Sequence, residues 1–108
     1  MQILIVVLHI NRFLYKLANI ANLYKKNVFA MSEAIFAKIR SALEEAPRNQ
    51  YTAEMHLQMI KYADELKSIT AKDFCEGVGL KKSFGTEFSK MRNLTNRLKQ
   101  AGMDTDKI

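Results

Sequence analysis

Apolar residues in this chain recur at helical intervals along almost the whole length, and form one unbroken run near the start. The run Ile3-Leu4-Ile5-Val6-Val7-Leu8 is the most apolar stretch. Beyond it Phe13, Leu17, Ile20, Ala21 and Tyr24 repeat every three or four residues, with Arg12, Lys16, Asn19 and Lys26 on other faces. A second periodic segment starts at Ser32: Ile35, Ile39, Ala42, Leu43 and Ala46 fill one face until Pro47 ends it. Ser32 suits the N-cap of that helix, Glu33 suits its positive end, and Met31 has staple spacing to Phe36. The next helix is expected from near Thr52 to Ile69, with Met55, Met59, Tyr62, Leu66 and Ile69 in a stripe. Leu57 and Ile60 lie off the stripe, so this helix is expected to be central and to meet neighbours on two sides. A core role outweighs an adaptable Met-rich groove there.

The segment Ile69-Thr70-Ala71-Lys72-Asp73-Phe74 carries two start signals at once. Thr70 and Asp73 have capping-box spacing, and Ile69 and Phe74 have staple spacing. Gly77 and Gly79 soon offer positive-φ positions, so the helix is short. A longer helix over residues 83–100 follows, with Phe84, Phe88, Met91, Thr95 and Leu98 inward. Gly102 fits the position just past its end, where Met103 can cover Leu98. Asp104 and Asp106 belong to a six-residue tail read as frayed. No strand pattern appears after residue 10. The fold class is all-α: a small helical bundle preceded by an apolar N-terminal segment.

Composition narrows this further. With 108 residues, one domain is expected. One proline and four glycines disfavour a barrel or sandwich of many short strands. The single cysteine, Cys75, excludes an internal disulfide and a multi-cysteine zinc site, and points to a reduced, cytoplasmic setting. The division expected is residues 1–30 as an apolar, basic segment, 31–102 as the helical body and 103–108 as the tail. The net charge of +6 is uneven. Residues 1–30 hold four basic residues and no acid, and residues 81–99 hold six basic residues against Glu87 alone.

Three accounts compete for residues 1–30. The apolar run is expected to be too short to span a bilayer, being cut off by His9, Asn11 and Arg12. A secretory signal is disfavoured because the positive charges follow the run. Packing against the body or against a second copy is preferred over a cationic helix touching a membrane surface. The third account takes residues 1–30 as an extension outside the natively expressed protein, with Met31 as the start.

A short capped helix, a glycine-bearing turn and a longer helix with a polar outer face form a helix-turn-helix arrangement. Thr70-Ala71-Lys72-Asp73-Phe74-Cys75 followed by Val78-Gly79-Leu80 resembles the motif of phage-repressor and Cro-like DNA-binding proteins. The resemblance covers about residues 70–91. It implies that Cys75, four residues before Gly79, lies against the second helix, and that Val78, Leu80 and Phe88 are buried. The sequence departs from the pattern at Gly85, where a buried aliphatic is usual, and at Gly77, which is expected to loosen the turn. The body from Met31 also resembles small bacterial helix-turn-helix-like proteins carried on mobile gene cassettes.

The longer helix turns Thr86, Ser89, Lys90, Asn93, Asn96, Arg97 and Gln100 away from its apolar stripe. Lys81, Lys82 and Ser83 stand just before it. Lysines there can hold phosphates, while Asn, Arg, Ser and Thr can read base edges. The candidate DNA-binding residues are therefore Lys81, Lys82, Ser83, Thr86, Ser89, Lys90, Asn93 and Arg97. A solvated polar face with a basic last turn is the plain alternative.

No catalytic constellation is present. His9 and His56 match no metal pattern, and Gly77-Val78-Gly79 with Gly85 matches no phosphate-binding loop. Cys75 is expected to be a buried, inert thiol. No enzyme activity, cofactor or small-molecule substrate is expected. The sequence reads as a small transcriptional regulator that binds duplex DNA as a homodimer. The alternative is a protein-interaction module presenting a groove between helices 33–45 and 53–69.

Overall fold

The computed structural model describes residues 2–108, and among these no strand occurs. Among the described residues there are four helices: α1 (Gln2–Glu45), α2 (Tyr51–Lys61), α3 (Ala71–Val78) and α4 (Gly85–Gln100). Short 3-10 turns occupy Arg48–Gln50, Lys82–Phe84 and Thr105–Lys107. The chain divides into two compact units, Met1–Met31 and Ser32–Ile108.

In the unit Met1–Met31 every described side chain is exposed except the half-buried Val28. By length and composition it is also apolar enough to cross a membrane, as a signal sequence would be. This revises the expectation drawn from residues 3–8 alone, because Phe13, Leu14 and Leu17 continue the apolar character past Arg12.

Ser32 does not cap a helix. It lies inside α1 and is buried. No proline or glycine occurs before Pro47, so nothing interrupts the backbone ladder and the amides that a cap would satisfy bond to the preceding turn. Met31 is exposed and forms no staple.

The unit Ser32–Ile108 is built on one core. Ile35, Phe36, Ile39 and Leu43 of α1 meet Met55 and Met59 of α2, Phe74, Cys75 and Val78 of α3, and Phe88 of α4. An aromatic chain runs through it: Phe36 meets Phe74 edge-on at 6.0 Å, and Phe74 stacks on Phe88 at 4.1 Å. The edge-on geometry of the first pair suits the ring quadrupoles.

The expected helix over residues 52–69 stops at Lys61. Residues 62–69 continue as successive tight turns, with Leu66 N–H donating to the Tyr62 carbonyl and Ile69 N–H to the Leu66 carbonyl. Those turns keep the three- and four-residue spacing, so Leu66 is fully buried and Tyr62 and Ile69 line the core, as the stripe implied. Periodicity alone does not separate the two backbones.

The tail is not frayed. Met103 N–H donates to the Leu98 carbonyl and Gly102 N–H to the Lys99 carbonyl, with Gly102 at φ +92°. This paired bonding is the Schellman ending expected at Gly102. It turns the chain back so that Thr105 is buried and the last 3-10 turn packs on α2 and α4, with the Asp104 carboxylate accepting from Asp106 N–H.

Candidate nucleic-acid interface

The interface begins with the geometry of α3. Thr70 is extended (φ −75°, ψ 156°), and its Oγ1 accepts from Asp73 N–H at 3.1 Å, so the cap forms where the sequence places it. At the other end Gly79 takes φ +83°, and the N–H groups of Gly79 and Leu80 both donate to the Cys75 carbonyl, at 2.9 and 2.8 Å. Lys81 is extended, Lys82–Phe84 make one 3-10 turn, and α4 starts at Gly85.

Gly77 does not loosen this turn. It lies inside α3, and a Cβ there would sit 2.3 and 2.4 Å from Cδ2 and Cε2 of Phe36. Its role is close packing between α1 and α3, fixed further by the Arg40 guanidinium, which donates to the Gly77 carbonyl. At Gly85 a Cβ would meet the Cβ of Ala71 at 3.4 Å, so α3 and α4 come together through Ala71 and Gly85. The small pair takes the place of the usual buried aliphatic. Cys75 is buried in the core, and that burial raises its thiol pKa above the ordinary value.

The charges on α4 divide into two sets. Arg92 lies over the Phe88 ring at 4.6 Å and donates to the carbonyls of Leu66 (3.3 Å) and Ile69 (2.8 Å). It therefore ties the 62–69 turns to α4. Lys99 pairs with Asp64. Glu87 stands 3.1 Å from His56 Nε2 of α2 and 3.9 Å from Lys90. These groups serve the fold, so the local surplus counted from sequence overstates what faces outward.

The outward set is smaller. Lys81, Lys82 and Ser83 are exposed ahead of α4, and Thr86, Lys90, Asn93 and Arg97 are exposed along it, while Ser89 is half-buried. Their spacing of three and four residues places the helical members on one face. The Glu87–Lys90 contact is long and exposed on the lysine side, so it holds Lys90 only weakly.

One neighbour was not foreseen. A depression of about 230 Å³ joins Asn93 and Asn96 to Ala63, Asp64, Lys67 and Arg92. Lys67 reaches this edge because the chain turns at Tyr62; a continuous helix gave no signal for it. Among the described residues no group of His, Cys, Asp or Glu is arranged to hold a metal ion.

A family model described as "HTH-like domain" matches residues 31–101. No curated protein and no solved structure matches the chain.

Proposed function

The chain belongs to the HTH-like domain family, and from that premise we propose that it binds duplex DNA in a sequence-specific way as a small cytoplasmic transcriptional regulator. The observation that carries the reading is the acid-free exposed face of α4, with Lys81 and Lys82 just before its first turn. In this reading α4 enters the major groove and α3 supports it. Lys81, Lys82 and Lys90 hold phosphates and fix the depth of entry. Asn93 and Arg97 present donors suited to purine edges, and Ser83, Thr86 and Ser89 add adaptable hydroxyls. Two copies on a palindromic site complete the proposal, because doubling the half-sites doubles the contacts of one short helix.

The burial pattern favours DNA over a protein-binding groove. Among the described residues of Ser32–Ile108, the large apolar side chains left exposed are Tyr51, Leu57, Leu94 and Met103. Single side chains of this kind are ordinary on a protein surface and make no docking patch.

Selection of bound fragments from genomic DNA, followed by mobility-shift assays, tests the reading. A recovered palindrome that the wild-type chain shifts and a Lys81→Glu/Lys82→Glu/Lys90→Glu variant does not is the expected result. Equal shifts by both chains, or no enrichment of any sequence, would overturn it.

A further inference from the structure

We infer that residues 3–28 bind the surface of an anionic lipid bilayer, lying along it in the headgroup region. The segment is one helix whose apolar side chains face water: Ile3 is 81% exposed, Phe13 62%, Ile20 64% and Tyr24 66%. At about 100° per residue these side chains sort into arcs. Ile3, Val6, Ile10, Phe13, Leu17 and Tyr24 share one arc, while Asn11, Arg12, Lys16, Asn19 and Lys26 share the opposite one together with Tyr15 and Leu23. A helix with an apolar arc and a basic arc is the form that settles into a lipid interface.

Two further features choose lipid over a second copy of the chain. In the first two turns Leu4, Ile5 and Leu8 occupy the arc that later carries the basic residues, so the helix is apolar all round there, and Tyr15 and Leu23 return to that arc further on. One partner helix packed along the Ile3–Tyr24 arc would leave those side chains in water, whereas the acyl boundary covers every side. Charge points the same way. Arg12, Lys16, Lys25 and Lys26 meet no acid among residues 1–30, so a second copy of the segment offers them no counter-charge. Anionic headgroups instead attract all four, each raising the partition roughly fivefold.

The same charges decide how the helix sits. Arg12 and Lys16 fall in the middle of the apolar segment, so spanning the bilayer would carry them through its centre at high cost. Lying along the surface leaves them among phosphates.

Flotation of the full chain with vesicles tests this independently of DNA binding. The chain should float with phosphatidylcholine vesicles containing phosphatidylglycerol, remain behind with phosphatidylcholine alone, and be released by high salt. Arg12→Gln/Lys16→Gln should weaken partition about 25-fold, and Phe13→Asp/Leu17→Asp should abolish it. Because these side chains are exposed, circular dichroism should show the body of each variant still folded. Three results would overturn the inference: no flotation with either vesicle, equal flotation at every salt and lipid composition, or a lipid-free dimer that Phe13→Asp/Leu17→Asp dissociates and that does not float.

Discussion

Replacing Gly77 with alanine puts the packing of α1 on α3 under direct test. By helix propensity alone the change should stabilise α3 by about 1 kcal/mol, since Gly77 sits at an ordinary helical position. The structure predicts the opposite sign. The new Cβ would lie 2.3 Å from the Phe36 ring, against roughly 3.5–4.0 Å for a relaxed carbon contact. The ring must therefore retreat by more than an ångström. It is 4% exposed and set edge-on against Phe74, which is stacked on Phe88, so it has little free space to enter. Overpacking of this severity costs about 3 kcal/mol. The net loss is then about 2 kcal/mol, which for a domain of this size lowers Tm by about 8–16 °C. Urea and thermal unfolding followed by circular dichroism give the number. Phe36→Leu supplies the control, because with the ring gone most of the Gly77→Ala penalty should vanish, a coupling of at least about 1 kcal/mol. A Gly77→Ala protein as stable as the parent, or an equal penalty in both backgrounds, would refute the argument.

Other substitutions probe separate links. Arg92→Met keeps length but removes the guanidinium that serves two carbonyls and a ring; unfolding should become easier by about 1–3 kcal/mol, and hydrogen exchange at residues 62–69 should accelerate. Thr70→Ala removes the cap on Asp73 N–H and should cost about 1 kcal/mol, with Thr70→Ser restoring it. Burial raises the Cys75 pKa in the folded state, so folding retains a proton that the unfolded chain gives up first. The stabilising contribution is whole below the ordinary thiol range and declines as pH rises through it toward the folded value. Urea midpoints between about pH 7 and 10 should fall more steeply for the parent than for Cys75→Ala; parallel profiles would contradict the burial of the thiol.

What the sequence disclosed divides along physical lines. The caps at Thr70, Gly79 and Gly102 were legible because each depends on a few adjacent residues and one backbone bond. The polar face of α4 was legible for the same reason, since 3.6-residue periodicity sorts sides without knowledge of neighbours. Ser32 misled because a good cap residue is recognisable whether or not the ladder is interrupted there. The break at Lys61 was hidden because tight turns preserve apolar spacing, and Arg92 is what holds them, from 23 residues away. A sum of charges over residues 81–99 includes Arg92 and Lys99 and cannot show that their partners lie at Ile69 and Asp64, far along the chain.

The salt dependence of duplex binding tests the central claim most directly. Affinity of the full chain for its selected site, measured by fluorescence anisotropy across a salt series, should fall with a slope of about −2.7 per copy if Lys81, Lys82 and Lys90 each neutralise a phosphate. Two copies on a palindrome should show about −5.4. The triple glutamate variant should lose that slope together with the binding. No detectable binding at about 50 mM salt, or a slope unchanged in the variant, would contradict the assignment of DNA to this face of α4.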